Sequence, residues 1–250
     1  MKRNYKLTIS YDGTRFYGWE RQPGKDMTIQ GKLESVLSKM TGAEGGGEIN
    51  VIGAGRTDAG VHARAMTANV VLDTDKSEEE IQTYMNMYLP EDISVNEVKV
   101  CSDRFHARYN ALGKTYRYTC WFGASKPVFD RKYVTVLEKE PDVEKMIAAS
   151  EFLIGTHDFK SFCGNTRMKK STVRCVDNIK IEKSGNYIRL YFHGNGFLQN
   201  MVRILTGTLL EVGYGNIPVE QMKDILEACN RQMAGPTARP EGLCMMKVDY

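Results

Sequence analysis

The sequence predicts an α+β protein built from two similar halves. Apolar and polar residues alternate in several short segments, as in strands that bury one face. Between these segments, apolar residues recur at helical spacing behind N-cap residues such as Thr28 and Ser77. The order of strands and helices in the first half returns, with insertions, in the second. The 250 residues suffice for one large domain or two small ones.

The first half is predicted to run strand, helix, strand, strand, helix, strand, which is the ferredoxin-like pattern. The predicted strands are residues 5–10, 49–52, 66–72 and 93–100. Thr28 caps the first helix, which ends at Gly42. Ser77 and Glu80 form a capping box for the second helix, which stops before the next proline. Residues 44–47 are expected to form a turn.

The second half repeats this order with insertions. Its predicted strands are residues 114–122, 172–182, 187–193 and 243–248. Residues 128–136 are expected to extend the first of these strands as a hairpin. Helices are predicted over residues 142–155, 198–213 and 218–229. We place the boundary between Arg104 and Phe105, which gives domains of residues 1–104 and 105–250.

Composition bounds the class of protein. Apolar residues make up 42% of the chain and charged residues 26%, which is ordinary for a globular protein. No apolar run approaches the roughly 20 residues of a membrane helix, and the start of the chain does not read as a signal peptide, so a cytoplasmic protein is expected. The six cysteines form no C-x-x-C pair and the four histidines have no ligand spacing, so we predict reduced cysteines and no zinc site.

The net charge is only +3, but the basic residues are unevenly distributed. Residues 104–129 and 159–176 contain no acid, and tyrosines and a tryptophan interleave with the cations of the first segment. Such segments attract polyanions, although each one alone is also typical of a solvated loop. The candidate RNA-binding residues are Arg15, Arg21, Arg104, Arg108, Lys114, Arg167, Lys169 and Lys170.

The most specific motif is Gly53–Ala63, read as G-A-G-R-T-D-A-G-V-H-A. A dinucleotide fingerprint starting at Gly53 would need glycine where Asp58 stands. The G-K-T at residues 113–115 lacks the first glycine of a P-loop, because that position is Arg108. The remaining general interpretation is a glycine-rich turn that carries a solvated arginine and aspartate.

The G-R-T-D-A-G-V-H string resembles the catalytic motif of the tRNA pseudouridine synthase A family. Further segments match that family along nearly the whole chain, namely Y-D-G, G-W, Y-R-Y, M-V-R and E-G-L. The family pattern has glutamine where this chain has Glu20. The resemblance implies two ferredoxin-like (RRM-like) halves whose antiparallel sheets join around a central RNA-binding cleft. It also implies a homodimer that acts on tRNA positions 38 to 40 in the anticodon stem-loop.

The resemblance makes Asp58 the catalytic carboxylate. Its attack on C1′, its attack on C6 of the base and its removal of a 2′ proton remain open alternatives. Arg56, which is also expected to bind the substrate, lies two residues away and would favour the ionised carboxylate if the loop is extended. Pseudouridine formation is neither oxidation nor reduction overall, so no cofactor is expected.

Further substrate-binding residues follow from the matched segments. Tyr116, the first tyrosine of Y-R-Y, is implied to stack on the uracil and to provide a route for the C5 proton. Tyr118 is assigned to the core. Arg203 is implied to bind an anion, either Asp58 or an RNA phosphate. Leu243 is implied to line the uracil pocket, with packing in the core as the alternative, whereas His62 is expected to be structural.

Two functions other than an RNA-modifying isomerase are also compatible with a basic α+β chain. One is a non-catalytic RNA-binding module of the RRM type, but the chain has no RNP1 signature. The other is a small-molecule enzyme with a regulatory half, which the two basic segments disfavour.

Overall fold

The computed structural model describes residues 2–42 and 49–250, so the predicted turn at residues 44–47 lies outside the described residues. The chain forms two compact units. The first unit is Met1–Leu112 with Met245–Tyr250, and the second is Gly113–Cys244. Five α-helices and ten strands occur among the described residues, which confirms the predicted α+β class.

The first unit has the predicted order of elements. These are β1 (Lys2–Tyr11), α1 (Ile29–Thr41), β2 (Ile52–Gly53), β3 (His62–Asp73), α2 (Glu78–Tyr88) and β4 (Ile93–Cys101). β1 pairs antiparallel with both β3 and β4, and β2 pairs antiparallel with β3. The strand order is therefore β4-β1-β3-β2. The register places Leu7 opposite Ala68, and both side chains are fully buried.

Local signals set the helix ends of this unit as predicted. The Thr28 hydroxyl accepts the Gly31 N–H at the start of α1, and Gly42 closes the helix in the left-handed region at φ 66°. At the start of α2, Ser77 and Glu80 form both hydrogen bonds of a capping box. The predicted strand at residues 49–52 is shorter than expected, since only its last residue belongs to β2.

The second unit contains the remaining elements. These are β5 (Gly113–Trp121), β6 (Thr135–Val136), α3 (Val143–Ser150), β7 (Gly155–Asp158), β8 (Val173–Ser184), β9 (Tyr187–Gly194), α4 (Met201–Gly213), α5 (Gln221–Glu227) and the start of β10 (Leu243–Asp249). Antiparallel pairing gives the order β5-β9-β8-β7. The predicted hairpin between β8 and β9 is confirmed, and Gly185 turns it at φ 56°. The rest of β10 lies beside β3 in the first unit.

The prediction of a hairpin over residues 128–136 is wrong. Only Thr135 and Val136 form a strand, and they pair parallel with the end of β5. The apolar residues at the start of the segment face solvent instead, with Val128 58% and Phe129 93% exposed, whereas Val134 is buried. Two helices are also shorter than predicted. α3 stops at Ser150, and α5 begins at Gln221 rather than at the preceding proline.

Candidate active site

The motif loop, Gly53–Ala63, runs from β2 into the start of β3 and is held closely by its neighbours. A Cβ on Gly53 would lie 2.5 Å from the Trp19 ring, so only glycine fits there. The Ala54 N–H donates to the Thr67 carbonyl over 2.8 Å. Gly60 has φ 78°, and its N–H donates to the Phe16 carbonyl over 3.3 Å. The glycines therefore serve close approach and a left-handed turn.

Thr57 fixes the backbone immediately before Asp58. Its hydroxyl shares a 2.9 Å hydrogen bond with the Tyr11 hydroxyl, and its carbonyl accepts the Trp19 N–H over 3.0 Å. Asp58 is half-buried, and its own carbonyl accepts the Val61 N–H over 3.2 Å. The carboxylate is therefore carried on a loop whose main chain is tied on both sides.

Gly18 and His62 complete this support. Gly18 has φ 96°, and a Cβ there would lie 2.5 Å from the Thr57 carbonyl oxygen. The buried His62 ring accepts the Gly13 N–H on Nδ1 over 3.0 Å. Because Nδ1 accepts that bond, the 3.3 Å contact with the Asp12 carboxylate is not an ion pair. His62 therefore contacts the turn that follows β1, and its structural role stays a prediction.

Arg56 has a partner that the sequence did not predict. Its Nη1 lies 2.7 Å from the Glu20 carboxylate, and the two side chains are 57% and 53% exposed. An exposed ion pair of this kind contributes about 0–1 kcal/mol. The Arg56 guanidinium, which is expected from the sequence to act on Asp58, thus forms an ion pair with Glu20. Glu20 is the residue that departs from the family pattern.

The two tyrosines of β5 differ in their surroundings within the second unit. Tyr118 is fully buried, shares a 2.6 Å hydrogen bond with the Thr135 hydroxyl and donates to the Arg239 carbonyl over 2.7 Å. Burial raises the pKa of Tyr118 far above its ordinary value, so this hydroxyl keeps its proton. Tyr116 retains 8% exposure and meets the Phe197 ring edge-on at 5.3 Å. Tyr118 is a core residue, as expected.

Arg203 and Leu243 both lie in the second unit, Arg203 in α4 and Leu243 at the start of β10. Arg203 Nε donates to the Ala238 carbonyl over 2.7 Å, and its Nη1 donates to the Asn200 side chain over 3.0 Å. Asn200 precedes α4 in the left-handed region at φ 58°. Leu243 begins β10 and is 5% exposed. The Arg203 guanidinium is therefore hydrogen-bonded to a residue that precedes Leu243 by five positions in the chain.

Comparison with known proteins decides the family. A sequence model of the family described as tRNA pseudouridine synthase matches residues 7–110 and 148–250. The chain belongs to the tRNA pseudouridine synthase family. It is 44% identical over 247 residues to tRNA pseudouridine synthase A 2 of Bacillus cereus (strain ZK / E33L), covering 99% of each chain. It is 46% identical over 232 residues to tRNA pseudouridine synthase A of Bacillus sp. (strain KSM-64), covering 93% of each.

A relative from another genus carries the same family name. The chain is 41% identical over 248 residues to tRNA pseudouridine synthase A 2 of Clostridium perfringens (strain 13 / Type A). The match covers 99% of this chain and 100% of the relative. As a member of the tRNA pseudouridine synthase family, the chain is an isomerase that acts on tRNA uridine.

The basic residues predicted for RNA binding in this synthase fall into two groups. Arg15 and Arg21 already face carboxylates. The Arg15 Nε donates to Asp92 over 2.9 Å, and that hydrogen bond raises the Arg15 pKa. The Arg21 Nε lies 2.9 Å from Glu34. The residues with exposed side chains are Arg104, Arg108, Arg167, Lys169 and Lys170, and Lys114 is half-buried.

Two further properties complete the description of this synthase. Within residues 2–42 and 49–250, no group of three or more histidine, cysteine, aspartate and glutamate side chains could hold a metal ion. No helix in that part of the chain is long and apolar enough to cross a membrane.

The predicted site residues divide between the units, with Asp58 and Arg56 in the first and Tyr116, Arg203 and Leu243 in the second.

Proposed function

We propose that this synthase isomerises uridine at positions 38 to 40 of the tRNA anticodon stem-loop, with Asp58 as the catalytic carboxylate. The observation that carries the proposal is the motif loop. Thr57 is anchored through its hydroxyl by Tyr11 and through its carbonyl by Trp19, so the next residue presents its carboxylate from a fixed backbone. Fixed placement of a reacting group lowers the entropy lost in reaching the transition state.

The reaction balances without an outside reagent. The N1–C1′ bond breaks, the uracil turns, and C5 bonds to C1′. The proton lost from C5 is matched by the proton gained at N1. No electrons enter or leave, so we propose that no cofactor takes part. Asp58 acts by attack on C1′, by attack on C6 or by removal of a 2′ proton.

Tyr116 is proposed to stack on the detached uracil and to pass on the C5 proton. Its ring keeps slight exposure, whereas the hydroxyl of the neighbouring Tyr118 is occupied by Thr135 and Arg239. Leu243 would contribute an apolar wall to the uracil pocket, and Arg203 an anion contact close to the start of α4.

The proposed architecture is two ferredoxin-like halves, residues 1–104 and 105–250, whose sheets join around a central RNA-binding cleft. The β4-β1-β3-β2 order and the two intervening helices support the first half. In the second half, β5, α3, β8, β9, α4 and β10 follow the same order, and β9 lies between β5 and β8. We further propose a homodimer in the cytoplasm.

A uridine stacked in a stem must be turned out before Asp58 can reach it, at a cost of about a few kcal/mol. Phosphate contacts hold the RNA while this happens. The proposed contacts are Arg104, Arg108, Lys114, Arg167, Lys169 and Lys170, together with Arg15 and Arg21 where the phosphate displaces or shares their carboxylate partners.

Tritium release from tRNA that carries [5-³H]uridine tests this function, since C5 loses its hydrogen in the reaction. We expect release from transcripts with uridine at position 38, 39 or 40 and none when cytidine fills all three. Release that persists in the cytidine transcript would refute the proposed positions. Tight binding with no release from any transcript would favour a non-catalytic RNA-binding module.

A further inference from the structure

An aromatic side chain stands exposed on the segment that follows β4. Tyr109 is 79% exposed, although it lies only two residues from the fully buried Ala107. Full hydration of a large ring forgoes the stabilisation that burial would give. An exposed ring on a loop that is firmly held therefore indicates a binding role.

Buried side-chain amides hold this segment, which we call the tyrosine loop (residues 102–110). The Asn4 amide, 2% exposed, donates 2.9 Å hydrogen bonds to the carbonyls of Ser102 and Phe105. The Asn69 side-chain amide, 4% exposed, donates to Oδ1 of the Asn4 side chain over 3.1 Å. These two asparagines come from β1 and β3, so the sheet itself fixes the loop.

Ala107 is anchored on both of its backbone groups. Its N–H donates to the Asn69 side chain over 2.8 Å, and its carbonyl accepts the Tyr250 hydroxyl over 2.7 Å. Burial raises the pKa of Tyr250 to about 12, so the hydroxyl remains a donor at neutral pH. The loop is thus ordered before any ligand binds, which lowers the entropy lost on binding.

His106 sets the direction of the Tyr109 ring. The two rings stack at 4.1 Å with 28° between their planes. His106 Nδ1 accepts the N–H groups of Arg108 and Tyr109, and the His106 N–H donates to Asn110 over 2.7 Å. The ring is therefore supported from one side while most of its surface stays in water.

The charge around the ring suits a polyanion. Arg104 and Arg108 are exposed on the same loop and outnumber its one acid, Asp103, and no acid occurs from Arg104 to Phe129. Aromatic side chains that bind single-stranded nucleic acid are flanked by cations in this way, because the bases stack while the phosphates pair with the cations. Paired bases in a continuous duplex cannot stack on such a ring.

We infer that Tyr109 is a stacking platform for an unpaired base of the tRNA, with Arg104 and Arg108 contacting the neighbouring phosphates. The inference rests on the proposed function in that it takes the partner to be RNA. It adds a base contact on a loop that carries none of the proposed catalytic groups.

The test compares Tyr109→Ala with Tyr109→Trp and with Tyr88→Ala. Tyr88 is the matched control, because it is a 56% exposed tyrosine of the first unit that also meets another ring, Tyr84, at 4.5 Å. Fluorescence anisotropy would measure the dissociation constant for a tRNA transcript and for a blunt-ended RNA duplex. We expect Tyr109→Ala to weaken tRNA binding about tenfold. Tyr109→Trp and Tyr88→Ala should bind as the wild type does.

The salt dependence of tRNA binding and the affinity for the RNA duplex distinguish a lost base-stacking contact from a lost phosphate contact. Tyr109→Ala should leave the salt slope for tRNA and the affinity for the duplex unchanged, because it removes no phosphate contact. Arg108→Gln should lower the slope by about one. The inference is overturned if Tyr109→Ala binds tRNA normally, if Tyr109→Trp is equally impaired, or if duplex binding weakens as much.

The same measurements keep this inference distinct from the proposed function. A protein that releases no tritium but shows the Tyr109 dependence refutes isomerisation at positions 38 to 40 and keeps the stacking platform. A protein that releases tritium normally while Tyr109→Ala binds tRNA like the wild type keeps the isomerisation and refutes the platform.

Discussion

Replacing Gly18 by alanine would push directly on the backbone that carries Asp58. The new methyl carbon would lie 2.5 Å from the Thr57 carbonyl oxygen, and the two segments would have to separate by about 0.9 Å to restore ordinary contact at 3.4 Å. That carbonyl also accepts the Trp19 N–H, so the movement would strain the hydrogen bond that ties the motif loop down.

Two costs combine in this variant. Gly18 has φ 96°, and a side chain at positive φ costs about 1–2 kcal/mol. Overpacking against the Thr57 backbone adds about 1–3 kcal/mol. We therefore expect the free energy of unfolding to fall by about 2–5 kcal/mol. If Asp58 is the catalytic carboxylate, a shift of its side chain approaching 1 Å should lower the rate at saturating tRNA by about tenfold to a hundredfold.

Gly24→Ala is the matched control, because Gly24 has φ 72° and a Cβ there would meet nothing within 4 Å. It should lose about 1–2 kcal/mol and keep its activity. Urea unfolding and tritium release, measured where each variant is fully folded, provide the two readouts. Equal losses of stability in the two variants, with normal activity in Gly18→Ala, would refute the argument that contact with Gly18 positions the motif loop for the reaction.

Three other variants test separate parts of the site. Glu20→Gln removes the ion pair with Arg56, so that Arg56 could contact a tRNA phosphate instead. We expect tRNA binding to tighten by up to about fivefold in an anisotropy titration, and weaker binding would contradict a phosphate contact by Arg56. Tyr116→Phe should bind tRNA normally but release little tritium, whereas full activity would remove the hydroxyl from the reaction. Changing Lys169 and Lys170 together to glutamine should weaken tRNA binding and reduce its salt slope by up to about two, and an unchanged slope would leave that segment as a solvated loop.

Features set by neighbouring residues were predictable from the sequence. Thr28 and Ser77 cap their helices as predicted, because an N-cap depends on hydrogen bonds within the first turn. The glycine-rich turn that the motif indicates is also present, with Gly53 packed against an indole ring and Gly60 at positive φ. The resemblance to the synthase family rested on the same short string and was confirmed by matches along the chain.

Features set by distant contacts were not predictable. Residues 128–136 are rich in strand-forming residues, yet only Thr135 and Val136 find a partner strand, and Val128 and Phe129 face solvent. The sequence shows Glu20 as a departure from the family pattern but not its pairing with Arg56, which lies 36 residues away. The tyrosine loop depends on Asn4 and Asn69, and no periodicity links asparagines in two strands to a loop later in the chain.

The central claim is that Asp58 carries the chemistry, and tritium release by the wild type beside Asp58→Asn tests it most directly. Asparagine keeps the size of the side chain and removes its charge, so the variant should fold and bind the tRNA transcript with a near-normal dissociation constant. We predict release of tritium from [5-³H]uridine tRNA by the wild type and no detectable release by Asp58→Asn. Release by the variant at a rate close to that of the wild type would contradict the assignment of Asp58 as the catalytic carboxylate.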